Sequence, residues 1–171
     1  SDGRTIKIGL VEINNSFSGQ NYLPYSIACL RSYVEAHAPE PARYQFLPLI
    51  YKRLPIQQVV DRMQDADVVG FSTYVWNANI SLESARRLKE SRPQTIIVFG
   101  GPQVPNKAEA FLRTHPFIDI VVHNEGEKTF LAILERLPES DWRGLPGVSF
   151  LAADGVFVNT PPGERMRDLK E

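Results

Sequence analysis

Five short apolar segments, each followed by a helical pattern, constrain the architecture of this chain more than any other feature. The apolar segments span 6–13, 44–50, 67–73, 95–99 and 118–122, and several are nearly continuous apolar runs. Such runs are typical of strands that are covered on both faces. Amphipathic patterns follow them at 24–38, 56–63, 80–91, 106–114 and 127–137. Alternating strands and helices predict an α/β fold with a doubly wound, five-stranded parallel sheet.

The pattern changes after Leu137. Residues 147–159 contain two short strand-like stretches around a turn with Gly155, which predicts a β-hairpin. The tail from Thr160 onward is polar and opens with two prolines, as linkers often do. We therefore expect an α/β domain over 1–139, a β-hairpin appended to it over 140–160, and a linker over 161–171.

Charge and hydropathy exclude two classes of partner. The chain has 171 residues with a formal net charge of −1, and its Lys and Arg residues are scattered. This distribution argues against a nucleic-acid partner held through its phosphates. No apolar run approaches the roughly 18–20 residues that a membrane span needs. No secretory signal follows the N-terminus. A cytoplasmic protein is the expectation.

The unusual chemistry lies in the loops that follow the predicted strands. In an open parallel sheet, ligands bind outside the carboxyl ends of the strands. The loops at that edge are rich in Ser, Asn, Gln and Gly, and they span 14–23, 74–79, 100–105 and 123–126. The first is long, because strand-to-helix loops usually have roughly 2–6 residues. Neutral, amide-rich loops of this kind predict a site for a large and mostly uncharged ligand.

Common ligand and catalytic motifs are missing at this edge. The first loop has neither G-x-G-x-x-G nor a Walker P-loop. Ser72 and Thr73 stand where a phospho-receiver would need an acidic residue. Glu125 and Glu127 would lie in the first turn of the last helix, where carboxylates are favourable but repel phosphate. Capping of the third helix is an alternative role for Asn77 and the expected role of Asn79.

The histidines form no catalytic set in the sequence. A structural or surface role is expected for His37, His115 and His123, because histidines outside a motif are weak evidence of chemistry. Only His123 follows a predicted strand at the ligand edge.

Three segments, taken in order, resemble the cobalamin-binding domain of cobalamin-dependent radical S-adenosylmethionine enzymes. They are VVGFSTYVWN (68–77), IIVFGGPQVP (96–105) and IDIVVHNEGEKTF (118–130). The GFS strand and the GGP turn of that family match 70–72 and 100–102, and its GEGE element matches 124–127 with Asn124 in place of the first Gly. Gln103 stands where many members have His. The resemblance implies a flavodoxin-like, Rossmann-like fold of strand order 2-1-3-4-5. It also implies base-off cobalamin, with the dimethylbenzimidazole tail removed from cobalt and buried beside the sheet.

The resemblance further implies which residues bind the cofactor. Ser72 and Thr73 border the tail, and Gly100 and Gly101 leave room for it. A bulky residue at either glycine is therefore expected to abolish cobalamin binding while the fold survives. The loops 14–21 and 74–77 lie under or beside the corrin ring. The complete set of implied cofactor-binding residues is Asn14, Asn15, Ser16, Ser72, Thr73, Tyr74, Val75, Trp76, Asn77, Gly100, Gly101, Pro102, Gln103, Val104, Glu125 and Gly126.

The lower face of the cobalt is expected to lack a protein imidazole. A second cobalamin family ligates cobalt through the histidine of a D-x-H-x-x-G motif, and the matching stretch 12–17 has no histidine. Tyr74, Val75 or Trp76 would cover this face without ligating the metal, although simple packing of Trp76 is an equal alternative. Turn formation is an alternative role for Asn14, Asn15 and Ser16.

The resemblance extends to the rest of the enzyme. In that family the domain precedes a barrel whose 4Fe–4S cluster is held by a C-x-x-x-C-x-x-C motif, whereas this chain has a single cysteine, Cys29. The chain is therefore expected to be the N-terminal domain of a longer enzyme. Its partner would be a downstream radical S-adenosylmethionine domain of the same polypeptide, which holds the cluster. The resemblance implies that the parent enzyme transfers a methyl group to an unactivated carbon or phosphorus centre.

Two other hypotheses stay open at this point. The chain could be a flavodoxin-like electron-transfer module that binds FMN, because NNSFSGQN (14–21) could form a hydroxyl-rich phosphate loop. It could also be a domain that keeps the fold as a docking platform and binds no ligand.

Overall fold

A computed structural model describes residues 4–13, 25–74, 77–101, 104–123 and 126–162. Within these ranges the strands are β1 Ile6–Val11, β2 Tyr44–Phe46, β3 Val68–Ser72, β4 Ile96–Gly100, β5 Ile120–Val122, β6 Val148–Leu151 and β7 Phe157–Asn159. The α-helices are α1 Tyr25–His37, α2 Ile56–Arg62, α3 Ala78–Ser91, α4 Glu109–Thr114 and α5 Glu127–Arg136. A short 3-10 helix, Pro41–Arg43, precedes β2.

The strands form one sheet in the order β2-β1-β3-β4-β5-β6-β7. The first five are parallel and follow the predicted order, so the α/β architecture is confirmed. The prediction of a five-stranded sheet is wrong, because β6 pairs antiparallel with β5 and β7 pairs antiparallel with β6. An open edge at β5 would leave backbone N–H and C=O groups without partners, and the hairpin supplies those partners.

Local chemistry explains where individual elements begin and end. β2 is shorter than the predicted segment 44–50: its ladder ends near Pro48, which has no N–H to donate. The chain then returns to β1 through an isolated bridge between Ile50 and Val11. α3 begins at Ala78, so Asn79 lies inside its first turn and the prediction that Asn79 caps this helix is wrong.

Two apolar layers cover the sheet, because successive residues of a strand face opposite sides. One layer packs α2, α3 and the region of α4 against the strand residues Val11, Val69, Phe71, Ile97 and Phe99. The other packs α1 and α5 against Ile8, Leu10, Val68, Val98, Ile120 and Val122. We call the second side the α1/α5 face. Each fully buried Leu, Ile or Phe contributes roughly 1.5–3 kcal/mol relative to an exposed one.

No helix among the described residues is both long and apolar enough to cross a membrane. The predicted linker lies almost entirely outside the described residues, which end at Pro162.

Candidate functional site

One row of residues crosses the carboxyl ends of the four central parallel strands. Ser72 of β3 pairs with Gly100 of β4 in the sheet register. Two residues earlier, the same register aligns Leu10, Gly70, Val98 and Ile120 across β1, β3, β4 and β5. Continuing each strand by two residues places Glu12 beside Ser72 and Val122 beside Gly100. We call Glu12, Ser72, Gly100 and Val122 the site row.

The site row lies on the α1/α5 face. Residues two apart on a strand share a face, and Leu10, Val98 and Ile120 all pack into the α1/α5 layer. Val122 belongs to the same layer. The centre of the row therefore consists of a serine and a glycine. Their small size leaves a depression in the surface of the sheet between the larger side chains of Glu12 and Val122.

Two helix starts border the row. The Ser26 hydroxyl, in the first turn of α1, donates a hydrogen bond to Glu12 Oε1. Ser26 Oγ also lies 3.4 Å from Ser72 Oγ. Gly126 occupies the position before α5, and a Cβ there would lie 3.3 Å from Val122 Cγ1. These contacts place the beginnings of α1 and α5 directly beside the row.

Sequence reasoning did not single out Glu12 or Ser26 as site residues. The available signal is the alternation of β1: Ile8 and Leu10 face the α1/α5 layer, and Glu12 continues that series. Carboxylates are rarely buried without a partner, so a glutamate at a position where the alternation predicts a core residue indicates a specific interaction partner.

Asn77 ties the loop after β3 to the ends of two strands. Its side chain is 1% exposed. Oδ1 accepts a hydrogen bond from the Tyr74 N–H at 2.9 Å, and Nδ2 donates to the carbonyls of Ile13 at 3.1 Å and Ser72 at 3.3 Å. Although Asn77 stands before α3, its side chain makes no capping bond to that helix. Its role in the structure is to fix the described part of the 74–77 loop against β1 and β3.

We expect Asn77→Ala to lower the free energy of unfolding by about 3 kcal/mol, because three buried hydrogen bonds of roughly 1 kcal/mol each are lost. Urea denaturation followed by circular dichroism measures the change. The matched control is Asn79→Ala, an exposed residue in the first turn of the same helix, which should change stability by less than about 0.5 kcal/mol. Equal stability of the two variants would contradict the bracing role of Asn77.

The two glycines after β4 have different reasons to be glycine. Gly101 has φ +102°, and a Cβ there would lie 2.6 Å from Thr73 O and 2.7 Å from Thr73 N. Thr73 is buried, and both its N–H and its hydroxyl donate to the Gly100 carbonyl, at 2.8 and 2.9 Å. Gly101 is therefore required by the close approach of the β3 and β4 ends. The expectation that the fold tolerates a bulky residue at Gly101 is wrong.

Gly100 has space for a side chain. A Cβ at Gly100 would meet only the Val122 carbonyl oxygen, at an ordinary contact distance of 3.6 Å. Of the two glycines, only Gly100 lies in the site row and has empty space where a side chain would point.

The other predicted cofactor-binding residues divide into three groups. Ser72, Thr73, Asn77, Gly100, Gly101 and Gly126 lie together around the site row. Val104 is buried in the opposite layer with α2–α4, so it does not face the row; Tyr74 is half-buried and contacts Asn77 through its backbone N–H. Asn14, Asn15, Ser16, Val75, Trp76, Pro102, Gln103 and Glu125 lie outside the described residues.

His123, directly after β5, belongs to a hydrogen-bonded chain that crosses the sheet edge. The Ser149 hydroxyl donates to Asn159 Oδ1 at 2.7 Å, so its oxygen is free to accept a hydrogen bond from His123 Nε2 at 2.8 Å. This arrangement places the imidazole proton on Nε2. Burial lowers the pKa of His123 below its ordinary value. His123 thus links β5 to the hairpin, in agreement with the predicted structural role.

We expect the domain to lose stability as the pH falls from about 8 to about 5, across the ordinary histidine pKa of about 6.5. Because the pKa of His123 is lowered in the folded state, the unfolded chain takes up the proton first. The stabilisation is therefore complete above the unfolded pKa and is lost as the pH falls through the folded pKa. The pKa of His115 is lowered by burial in the same way, so His123→Gln should reduce the pH dependence without removing it. Urea denaturation at both pH values measures the difference, and an unchanged pH dependence in the variant would contradict this role.

The described residues contain no group of three or more His, Cys, Asp or Glu side chains that could hold a metal ion. His37 ends α1 and His115 follows α4. Helices of parallel βα units end at the opposite edge of the sheet from the strand carboxyl ends. Both histidines therefore lie away from the site row.

Comparison with known proteins provides independent evidence about the family of this chain. A family model described as "B12 binding domain" matches residues 18–134. The chain is 35% identical over 150 residues to the cobalamin-dependent radical SAM methyltransferase TokK of Streptomyces tokunonensis; the match covers 86% of this chain and 22% of TokK. It is 37% identical over 130 residues to the 2-(S-pantetheinyl)-carbapenam-3-carboxylate methyltransferase of Streptantibioticus cattleyicolor, covering 75% of this chain and 19% of that protein. The chain thus spans about a fifth of the length of these relatives.

Solved structures share the fold at low sequence identity. The cobalamin-dependent S-adenosylmethionine radical enzyme OxsB, with aqua-cobalamin and S-adenosylmethionine bound, superposes with a TM-score of 0.71 at 16% identity, over 95% of this chain and 23% of OxsB. The radical S-adenosylmethionine methyltransferase TsrM from Kitasatospora setae, with tryptophan substrate and a SAM analogue bound, gives a TM-score of 0.68 at 17% identity, over 94% of this chain and 31% of TsrM.

Proposed function

This chain belongs to the B12-binding domain family, and on that premise we propose that it binds cobalamin base-off, with no histidine of the chain on the cobalt. We further propose that it is the cofactor-carrying domain of a radical S-adenosylmethionine enzyme that transfers a methyl group to an unactivated centre. The observation that carries the proposal is the site row, with its small central residues on the α1/α5 face at the carboxyl ends of the strands.

The residues of the row fit the nucleotide tail of cobalamin. A flat aromatic base needs a narrow cleft between the sheet and a segment that covers it. Ser72 and Gly100 are small enough to form the sheet side of such a cleft. The Ser26 hydroxyl donates to Glu12, and the Ser72 hydroxyl has only a long 3.4 Å contact with Ser26 Oγ. Because the single Ser26 proton goes to Glu12, the Ser72 hydroxyl is the donor in this long contact, and a ring nitrogen or another acceptor of the ligand at a shorter distance would take the Ser72 proton instead.

The described histidines support binding without a protein ligand on cobalt. His123 is hydrogen-bonded through Nε2 to Ser149, which lies on the face of β6 opposite Val148 and Phe150 and therefore opposite the α1/α5 face. His37 and His115 belong to the opposite edge of the sheet. The stretch 12–17 contains no histidine. A base-off cofactor held in this way would depend on packing and hydrogen bonds around the row for its position.

Bound cobalamin would supply a cobalt centre that can carry a methyl group. The residues of this chain contribute position: Asn77 braces the loop beside the row, Ser72 offers a hydroxyl, and Gly100 leaves space. The 4Fe–4S cluster and the S-adenosylmethionine site would lie in the remainder of the protein, in line with the size of the relatives.

The proposal is tested by incubating the purified chain with hydroxocobalamin, removing free cofactor by desalting, and recording the visible spectrum. We expect retained corrin absorption in an equimolar ratio to the protein. A flavin spectrum from the purified protein would instead support the FMN-binding alternative. Retention of neither chromophore would support the ligand-free docking alternative and would contradict the proposal.

A further inference from the structure

Glu12 is the one charged residue among the buried polar side chains of the described residues. It is 7% exposed, and its buried polar companions are serine, threonine and asparagine residues. It stands at the carboxyl end of β1 as the first member of the site row. Burying a carboxylate is costly unless a cation or several hydrogen bonds compensate for the lost hydration.

The compensation within the described residues is incomplete. The Ser26 hydroxyl donates to Oε1, and Glu12 makes no other side-chain hydrogen bond among these residues. No Lys or Arg in the described ranges forms an ion pair with it, although nine such pairs occur elsewhere among the described residues. Oε2 therefore lacks a donor within the described part of the protein.

Anchoring α1 does not explain a charge at this position. A glutamine at position 12 would accept the Ser26 hydrogen bond equally well and would avoid the cost of burying an ion. The second oxygen belongs to the residue that adjoins Ser72 in the site row, and it points to a donor that the described chain does not provide.

We propose that the Glu12 carboxylate accepts a hydrogen bond from a neutral N–H or O–H donor of cobalamin bound at the site row. This inference rests on the proposed function. Cobalamin carries neutral donors in the carboxamide side chains of the corrin ring and in the ribose hydroxyls of the nucleotide tail. Its phosphate is anionic, and Glu12 would repel it. Glu12 thus fixes the orientation of the cofactor by attracting the neutral donor and by keeping the phosphate away from the β1 end of the row.

The test is a spectrophotometric titration of the whole chain with hydroxocobalamin. Glu12→Gln should weaken binding by roughly tenfold or more, because a hydrogen bond to a charged acceptor is lost and an N–H group now faces the donor. Ser26→Ala keeps the carboxylate and removes only the bond from α1, so it should weaken binding less than Glu12→Gln. Glu35→Gln, an exposed residue of α1 paired with Arg31, changes the net charge equally and should bind as the wild type does.

A second titration, with cobinamide, identifies the donor. Cobinamide has the corrin carboxamides but lacks the ribose. If Glu12→Gln weakens cobinamide and cobalamin binding equally, the donor is a corrin carboxamide. If the effect disappears with cobinamide, the donor is a ribose hydroxyl.

Two results would overturn the inference. One is wild-type affinity of Glu12→Gln for cobalamin. The other is an equal loss in Ser26→Ala and Glu12→Gln, accompanied by an equal drop in the ligand-free melting temperature, which would assign Glu12 to the anchoring of α1. Failure of the wild-type chain to bind cobalamin is seen first in the same titration; it contradicts the proposed function, and this inference falls with it.

Discussion

Gly100→Leu is expected to raise the dissociation constant for hydroxocobalamin by roughly a hundredfold or more, which corresponds to ~3 kcal/mol of steric cost. The leucine side chain would project from the centre of the site row on the α1/α5 face, between Ser72 and Val122. The fold should survive, because a Cβ at Gly100 makes only an ordinary 3.6 Å contact with the Val122 carbonyl oxygen.

Gly100→Ala is the matched control for this prediction. A single methyl group fits the protein around it, so binding should fall only slightly and stability should stay within about 0.5 kcal/mol of the wild type. Spectrophotometric titration and urea denaturation are measured on both variants. Wild-type affinity of a folded Gly100→Leu domain would show that the cofactor does not cross the row at β4.

Gly101→Ala is expected to destabilise the fold itself by about 3 kcal/mol or more. An alanine at φ +102° is strained, and its Cβ would lie 2.6 Å from Thr73 O and 2.7 Å from Thr73 N. Relief of that collision requires the β3 and β4 ends to separate. The separation would weaken the hydrogen bonds from Thr73 to the Gly100 carbonyl.

The informative measurement is the difference in free energy of unfolding between the alanine variants of the two neighbouring glycines. Urea denaturation without cobalamin should place Gly101→Ala well below Gly100→Ala in free energy of unfolding. Equal stability of the two alanine variants would mean that the close approach at Thr73 does not constrain position 101.

The sequence predicted the parallel part of the fold because that information is local. Apolar runs such as IIVF before Gly100 identify central strands, and the periods of the intervening helices identify their buried faces. The site edge followed from the same pattern, since ligands bind at the carboxyl ends of parallel strands. The resemblance to the cobalamin-binding domain then implied Ser72 and Gly100 as site residues at this edge, before their register was known.

Other features depend on contacts that no local pattern contains. The hairpin signal around Gly155 was correct, but its pairing with β5 is decided by which sheet edge is open. A glycine at position 101 could serve to leave space for a ligand or to avoid a collision with Thr73. Only the backbone geometry distinguishes these two reasons. Glu12 continues the alternation of Ile8 and Leu10 along β1, but alternation alone does not separate a buried carboxylate from an exposed one at the end of a strand. Its burial beside Ser26 and Ser72 identifies it as a site residue.

The most direct test of base-off, histidine-free binding is the electron paramagnetic resonance spectrum of the chain loaded with cobalamin and reduced to the cobalt(II) state. An axial nitrogen, from dimethylbenzimidazole or from histidine, splits each cobalt hyperfine line into a triplet. We predict a retained cobalt(II) signal without this nitrogen splitting. A spectrum with the triplet would contradict the account, because it would place a nitrogen ligand on the cobalt.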